Sequence, residues 1–412
     1  MAPTMISSPR SIGEREFVFI LALMQALQAL AIDAMLPALG AIAHDLGAAD
    51  PNRRQLVVGV FLVGIGIGSL VPGALSDRFG RRPVLFASLA FYILPMLACA
   101  LVRDFDTLIA LRLVQAIGCS GLAVIPPAII RDRFEGDRMA KLQSLISVIF
   151  LTIPMLAPSI GQLILEFAGW RWIFGFMALL GVMVAVWAWL RLPETLHPEF
   201  RQPVRIGAVL GNFGTVLRNR ASVGYVLGSS FTMAAIWGFI NSSQQLVAEH
   251  FGAGRNFPYI FGAMAAGMAF ANFVNSRIVE RFGARRVSHA ALLTYVAVAS
   301  AQVFFAFGPH QTLWQFVAVM ALTMALGGFI GANFGSIALQ PFARTAGAAA
   351  SVQGFLRTMI GAGVGMAIGQ SFDGTARPFA LAVLACGLTT LAFVLFSERG
   401  RLFRRLNLPQ RP

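Results

Sequence analysis

Charge is what this chain has least of: Asp, Glu, Lys and Arg together make up 12% of its 412 residues. A soluble domain carries about 25%, so a surface wetted on all sides is excluded. Lysine is nearly absent. Lys141 stands alone among 32 basic residues and is followed by Leu142. No phosphate-cradling GxxxxGKS or GxxxxGKT loop can therefore form, which excludes a nucleotide-driven pump. Cysteine is scarce, and Cys99, Cys119 and Cys386 all fall inside apolar runs. An odd, buried set excludes a disulfide framework. The five histidines, His44, His197, His250, His289 and His310, share no ligand spacing, so no metal site or cofactor is expected. HExxH and GxSxG are also missing, which leaves an integral-membrane enzyme as a remote alternative.

What is abundant is apolar: 57% of the residues are hydrophobic. A membrane-spanning helix needs about 20 such residues in a row. Reading between Arg, Pro and Gly clusters gives twelve spans, at about 17–42, 55–75, 84–102, 106–130, 143–166, 171–192, 222–248, 258–278, 287–307, 312–338, 347–371 and 377–396. The first apolar run is too long for a cleavable signal and is expected to stay as the first span.

Basic residues alternate across the loops. Arg53, Arg54, Arg103, Arg171, Arg255 and Arg377 fall on one side, Arg112 and Arg357 lie within spans, and the other 24 fall on the opposite side. The positive-inside rule then puts both termini in the cytoplasm. The net charge of +14 is a topology signal, and no nucleic-acid partner is needed to explain it.

The sequence also repeats. Asp77-Arg78-Phe79-Gly80-Arg81-Arg82-Pro83-Val84 returns as Glu280-Arg281-Phe282-Gly283-Ala284-Arg285-Arg286-Val287, 203 residues later and again after the second span of its half. The expected organisation is a six-helix bundle at 1–192, a linker at 193–221, a second six-helix bundle at 222–397 and a basic tail at 398–412. Parallel repeats of this kind place the substrate between the halves. Within the linker, Ile206, Val209, Leu210, Phe213, Val216 and Leu217 follow a helical stripe flanked by Arg205, Arg218 and Arg220, which predicts an amphipathic strap on the membrane surface.

The stretch Gly73-Ala74-Leu75-Ser76-Asp77-Arg78-Phe79-Gly80-Arg81-Arg82 resembles the signature loop of the major facilitator superfamily. Asp33-Ala34-Met35-Leu36-Pro37, Arg112-Leu113-Val114-Gln115, Ala157-Pro158-Ser159-Ile160-Gly161 and Leu192-Pro193-Glu194-Thr195-Leu196 extend the likeness to its twelve-span drug/proton antiporters, in particular the bicyclomycin/chloramphenicol-resistance branch. The resemblance implies an all-α membrane fold of two pseudo-symmetric bundles in a bacterial inner membrane. It also implies an antiporter motif at Pro154, Pro158 and Gly161, and a latch at Gly73, Asp77, Arg78, Gly80 and Arg81 that ties the halves together when the site faces outward. Two departures stand out. Gly161 is followed by Gln162 rather than a second glycine, and the first span carries neutral Gln25 and Gln28 where some relatives have a second acid.

A charge inside a span costs about 2.5–3.5 kcal/mol on insertion scales, so Asp33 and Arg112 ask for a function. Burial and a neighbouring guanidinium pull a carboxyl's proton affinity in opposite directions. Asp33 is therefore expected to carry the coupling proton, with Arg112 as its electrostatic partner. The cavity wall is expected to hold Gln25, Gln28, Gln115, Trp237, Asn241, Gln244, Gln245, Asn333, Gln353 and Arg357. The function expected is proton-coupled export of small amphipathic drugs by a monomer whose partners are substrate, protons and bilayer. Export of a sugar or other polar metabolite is the alternative.

Overall fold

The computed structural model describes residues 12–48, 50–201, 206–342 and 345–404, without the side chains of Asp137, Ala140, Leu151, Ile206, Ala208, Val209, Leu210 and Ala346. Among these residues every regular element is helical. The first half holds α1 (Glu14–Asp33), α2 (Leu39–Asp45), α3 (Leu56–Gly68), α4 (Val71–Phe79), α5 (Arg81–Cys99), α6 (Phe105–Arg133), α7 (Gly136–Ala168) and α8 (Trp170–Arg191). After α9 (Ile206–Arg218) come α10 (Arg220–Gln244), α11 (Phe257–Phe282), α12 (Ala284–Phe307), α13 (Leu313–Leu339), α14 (Ala346–Gln370) and α15 (Arg377–Ser397).

The breaks have local causes. Pro37 has no N–H to donate, so α1 stops at Asp33 and a single 3₁₀ turn, Leu36–Ala38, leads into α2. Pro72 opens α4, which bends 42° from α3. Gly80 at φ +106° turns the chain from α4 into α5, and Gly283 at φ +85° does the same between α11 and α12. The two copies of the repeated motif thus share one backbone geometry. Asp104 caps α6 by accepting from the Thr107 N–H at 2.8 Å, which holds its carboxyl below the ordinary range.

Among the described residues, ten single stretches are long and apolar enough to span a bilayer, and the bent α3–α4 pair makes an eleventh. The expected span at 347–371 is present as α14, a helix of 25 residues, but it is not among those that qualify by composition. It carries Gln353, Arg357 and a row of glycines. Such a helix belongs among other helices rather than against lipid.

Among the described residues, the main helix pairs that join the halves are α3 with α14 and α7 with α11. Small residues make both approaches possible. A Cβ on Gly59 would meet Met366, one on Gly66 would meet Met359 and Thr358, and one on Gly262 would lie 2.8 Å from the Met155 carbonyl. With no hydrophobic drive between helices in lipid, this close fit supplies the contact energy. α9 lies in the stretch read as a linker, although Arg205 and the side chains at Ile206, Val209 and Leu210 lie outside the described residues. So do Arg10, Arg344, Arg405 and Arg411 of the basic loops and termini. Phe213 packs edge-on against Phe355 of α14, with ring centroids 5.4 Å apart, so the strap touches the second half directly.

Candidate functional site

Asp33 closes α1 and is 5% exposed. It has no hydrogen-bond or ion-pair partner among the described residues. The expected pairing with Arg112 is not made. Arg112 is fully buried and donates instead to three other acceptors: Val57 O at 3.1 Å, Gln115 Oε1 at 2.9 Å and Ala31 O at 2.9 Å. Its guanidinium also lies 4.1 Å from the centre of the Phe61 ring. The reason is local. The last carbonyls of α1 have lost their intrahelical donors at the Pro37 break, and a cation at a helix C-terminus satisfies one of them. Arg112 thereby ties α6 to α1 and α3, and Gln115 is spent on it inside the first half rather than on a cavity wall.

The residues expected to form an antiporter motif lie at the same place. Pro158 and Gly161 are buried and Pro154 is half-buried on α7. A Cβ on Gly161 would overlap the Ala34 carbonyl, so only glycine lets α7 lie on the α1 break directly beyond Asp33.

A cavity of about 500 Å³ lies between the halves. Its wall combines Gln28, Ile65, Ser69, Gly73, Asp77 and Ser120 from the first half with Asn212 and Phe213 of α9 and Ala348, Ser351, Phe355, Arg357 and Thr358 of α14. It runs from Gln28 and Arg357 at its inner end to Asp77 and Ala348 at the arginine-rich end of the molecule. Asp33 lies five residues beyond Gln28, about 7.5 Å farther along the helix axis at ~1.5 Å per residue.

Of the ten residues expected on the wall, Gln28 and Arg357 are there. Gln25 is half-buried one turn away and Gln353 is buried toward Gly335 of α13. Trp237 covers the glycine row of α14 at Gly361 and Gly365. Asn333 is buried and donates to Asn275 Oδ1 at 2.7 Å, an interhelical bond inside the second half. Asn241 donates to Trp237 O at 2.8 Å and faces Gly59 across the α3–α14 seam.

Gln244 and Gln245 belong to a different feature, the closed seam at the end opposite the arginine-rich one. There Arg54 pairs with Glu249 at 2.5 Å, Gln55 donates to Gln245, and Asn52 donates to Phe372 O at 2.8 Å. Gln370 donates back to Asn52 O at 2.8 Å. Every one of these bonds crosses between the halves. The structure is therefore open at one end and sealed at the other.

At the open end, Arg81 is buried and donates to Asp132 at 2.8 Å, Asp77 at 2.5 Å and Ser76 Oγ at 2.7 Å. Glu194 accepts from the N–H groups of Arg81 at 2.9 Å and Arg82 at 3.0 Å, capping α5 with a carboxylate. The second half repeats the plan, with Arg285 donating to Glu398 at 2.9 Å just after α15. Among the described residues, the hydrogen bond and ion pair of Asp77 stay within the first half, while Arg78 is exposed. The start of α14 lies across the cavity from Asp77.

Sequence reading missed Asp132, Arg54, Glu249 and Asn212. The first three were visible only as loop charges, and their partners lie 51 to 195 residues away. Asn212 carried no signal beyond its place on the strap.

The sequence profile of the Major Facilitator Superfamily matches residues 21–369. The chain is 28% identical to a bicyclomycin resistance protein homolog of Haemophilus influenzae, over 93% of this chain and 97% of that one. It is 30% identical to the multidrug resistance protein MdtL of Klebsiella pneumoniae, covering 88% and 91%. In fold it superposes on a D-xylose-proton symporter with a TM-score of 0.72 at 15% identity, covering 94% and 99%. A bacterial homolog of the lysosomal transporter Spinster, in an inward-facing state, gives 0.70 at 16% identity, covering 94% and 96%. Helical spans, a cavity shared by two halves and a profile that covers most of the sequence converge on one assignment: this multi-pass membrane protein is a transporter, and it belongs to the Major Facilitator Superfamily.

Proposed function

We propose that the chain exports small amphipathic drugs, phenicol- or bicyclomycin-like, in exchange for protons by alternating access. The observation that carries this reading is Asp33, a carboxyl buried without a partner among the described residues, beside the α1 break and just beyond the inner end of the cavity. A lone carboxylate in such surroundings is costly, and a proton is the smallest ligand that relieves it. The names of the relatives, bicyclomycin and multidrug resistance proteins, support the drug class.

In this scheme the bundles at 1–192 and 222–397 rock about the α3–α14 and α7–α11 seams, with 193–221 as the strap and 398–412 as a tail. Both termini lie in the cytoplasm of a bacterium, the protein sits in the inner membrane, and a monomer suffices. The open end is then cytoplasmic, and the sealed seam at Arg54 and Glu249 faces outward. Gly73, Asp77, Arg78, Gly80 and Arg81 act as a latch that meets the N-terminus of α14 when the cavity closes, where the free N–H groups favour a carboxylate.

The test is an efflux-deficient cell expressing the protein, scored for resistance to chloramphenicol and dyes with and without a proton uncoupler. Export is expected to vanish with the uncoupler and in Asp33→Asn. Active export that survives in Asp33→Asn would sink the coupling role. The neutral polar groups Gln28, Ser69, Ser120 and Asn212 on the wall favour a second reading, export of a sugar or other polar metabolite. Protection of the purified protein by such compounds and not by drugs would select it.

A further inference from the structure

Three charges sit in the middle of spans, and one of them is satisfied. Arg112 has three acceptors and an aromatic face. Asp33 and Arg357 make no hydrogen bond or ion pair with any described residue. Unlike Asp33, Arg357 lines the cavity.

The rest of the wall tells what could answer it. Asp77, the one acid among the described wall residues, is at the mouth and already holds Arg81. The hydroxyls of Ser69 and Ser120 donate to carbonyls of their own helices, at 2.7 Å each, and so present oxygen lone pairs but no free proton. Among the described wall residues, Asn212 on α9 and Gln28, Thr358 and Arg357 at the inner end have side-chain donors without an acceptor, and of these only Arg357 is charged. Ile65, Leu70, Val124, Val352, Phe213 and Phe355 supply apolar surface between that end and the mouth. Gly354, one turn before Arg357, would set a Cβ into open space, so the wall beside the guanidinium is left clear. At about 500 Å³ the space falls in the range of small-molecule sites, roughly 300–1,000 Å³.

We propose that Arg357 recognises an anionic head group, and that the molecules this cavity holds best are amphipathic monoanions such as aryl carboxylates. A planar guanidinium offers two parallel donors to a carboxylate. An excess positive charge in a low-dielectric cavity selects for one negative charge and against a cation. The proposal rests on the export reading above and names its substrate class.

Inside-out vesicles energised by a proton gradient would be loaded with nalidixate (an aryl carboxylate), chloramphenicol (neutral) or ethidium (a cation), and uptake measured by mass spectrometry. Nalidixate is expected to show the lowest KM. Arg357→Gln should raise that KM by about tenfold or more, the size of one lost charge-assisted bond, while raising the KM of neutral chloramphenicol far less and lowering that of ethidium, which the lost charge no longer repels. Arg357→Lys should restore most of the loss. An equal loss for all three probes, or an unchanged nalidixate KM, overturns the proposal. Should the variants fail to fold, the wild-type protein decides alone: nalidixate must stabilise it against heat more than ethidium does, and the reverse order overturns the proposal. Uptake of chloramphenicol and ethidium without nalidixate defeats this inference and leaves the export reading standing; gradient-driven uptake of none defeats both.

Discussion

The guanidinium of Arg112 donates to the carbonyl oxygen of Ala31 at 2.9 Å and leaves the carboxyl of Asp33, two residues on, without a partner among the described residues. The arginine is thus a structural tie across the end of α1, and the acid is free to take part in something else. That separation of roles makes the two residues distinguishable by experiment.

Arg112→Gln should lower stability by about 1–3 kcal/mol, because the Ala31 carbonyl and the Gln115 amide lose their buried donor. Asp33→Asn removes no bond and should leave the melting temperature in detergent unchanged or raised. A comparable fall in both variants would mean that the two side chains do pair in solution.

Gly161 lies against the Ala34 carbonyl so closely that no Cβ fits. Gly161→Ala should cost about 1–3 kcal/mol by overpacking and reduce transport, since α7 must move off the α1 break. Thermal unfolding and vesicle uptake together check this, and wild-type values for both would remove the packing argument.

The sealed end offers a lock. Gln55 and Gln245 are hydrogen-bonded across the halves, and the three native cysteines are buried. The double substitution Gln55→Cys with Gln245→Cys should stop transport on oxidation and recover it with a reductant. Transport that continues in the cross-linked protein, with the bond verified by mass spectrometry, would rule out opening at this seam.

Arg285 and Glu398 form a buried pair, 11% and 8% exposed, that also accepts the Tyr225 hydroxyl at 2.6 Å. Arg285→Met should cost about 3–5 kcal/mol by stranding the carboxylate, and Glu398→Gln made with it should recover part of that loss. Additive losses in the double variant would show that the pair contributes no coupling.

The amino-acid sequence alone determined what the solvent dictates. Runs of about 20 apolar residues broken by Arg, Pro and Gly located the helices, and the second copy of the Asp77–Val84 motif revealed the duplication, which the matched turns at Gly80 and Gly283 express in the backbone. Asp33, Arg112 and Arg357 were conspicuous because charge in a span is costly wherever it points. What the sequence could not decide was direction. Helical periodicity gives a face but not the neighbour that face meets, so Gln115 and Asn333 read as cavity residues although tertiary packing turns them onto Arg112 and Asn275. The closed seam of Asn52, Arg54 and Gln55 against Gln245, Glu249 and Gln370 was hidden for the same reason: its bonds join residues 190 or more apart, and only the docking of one half on the other brings them within reach.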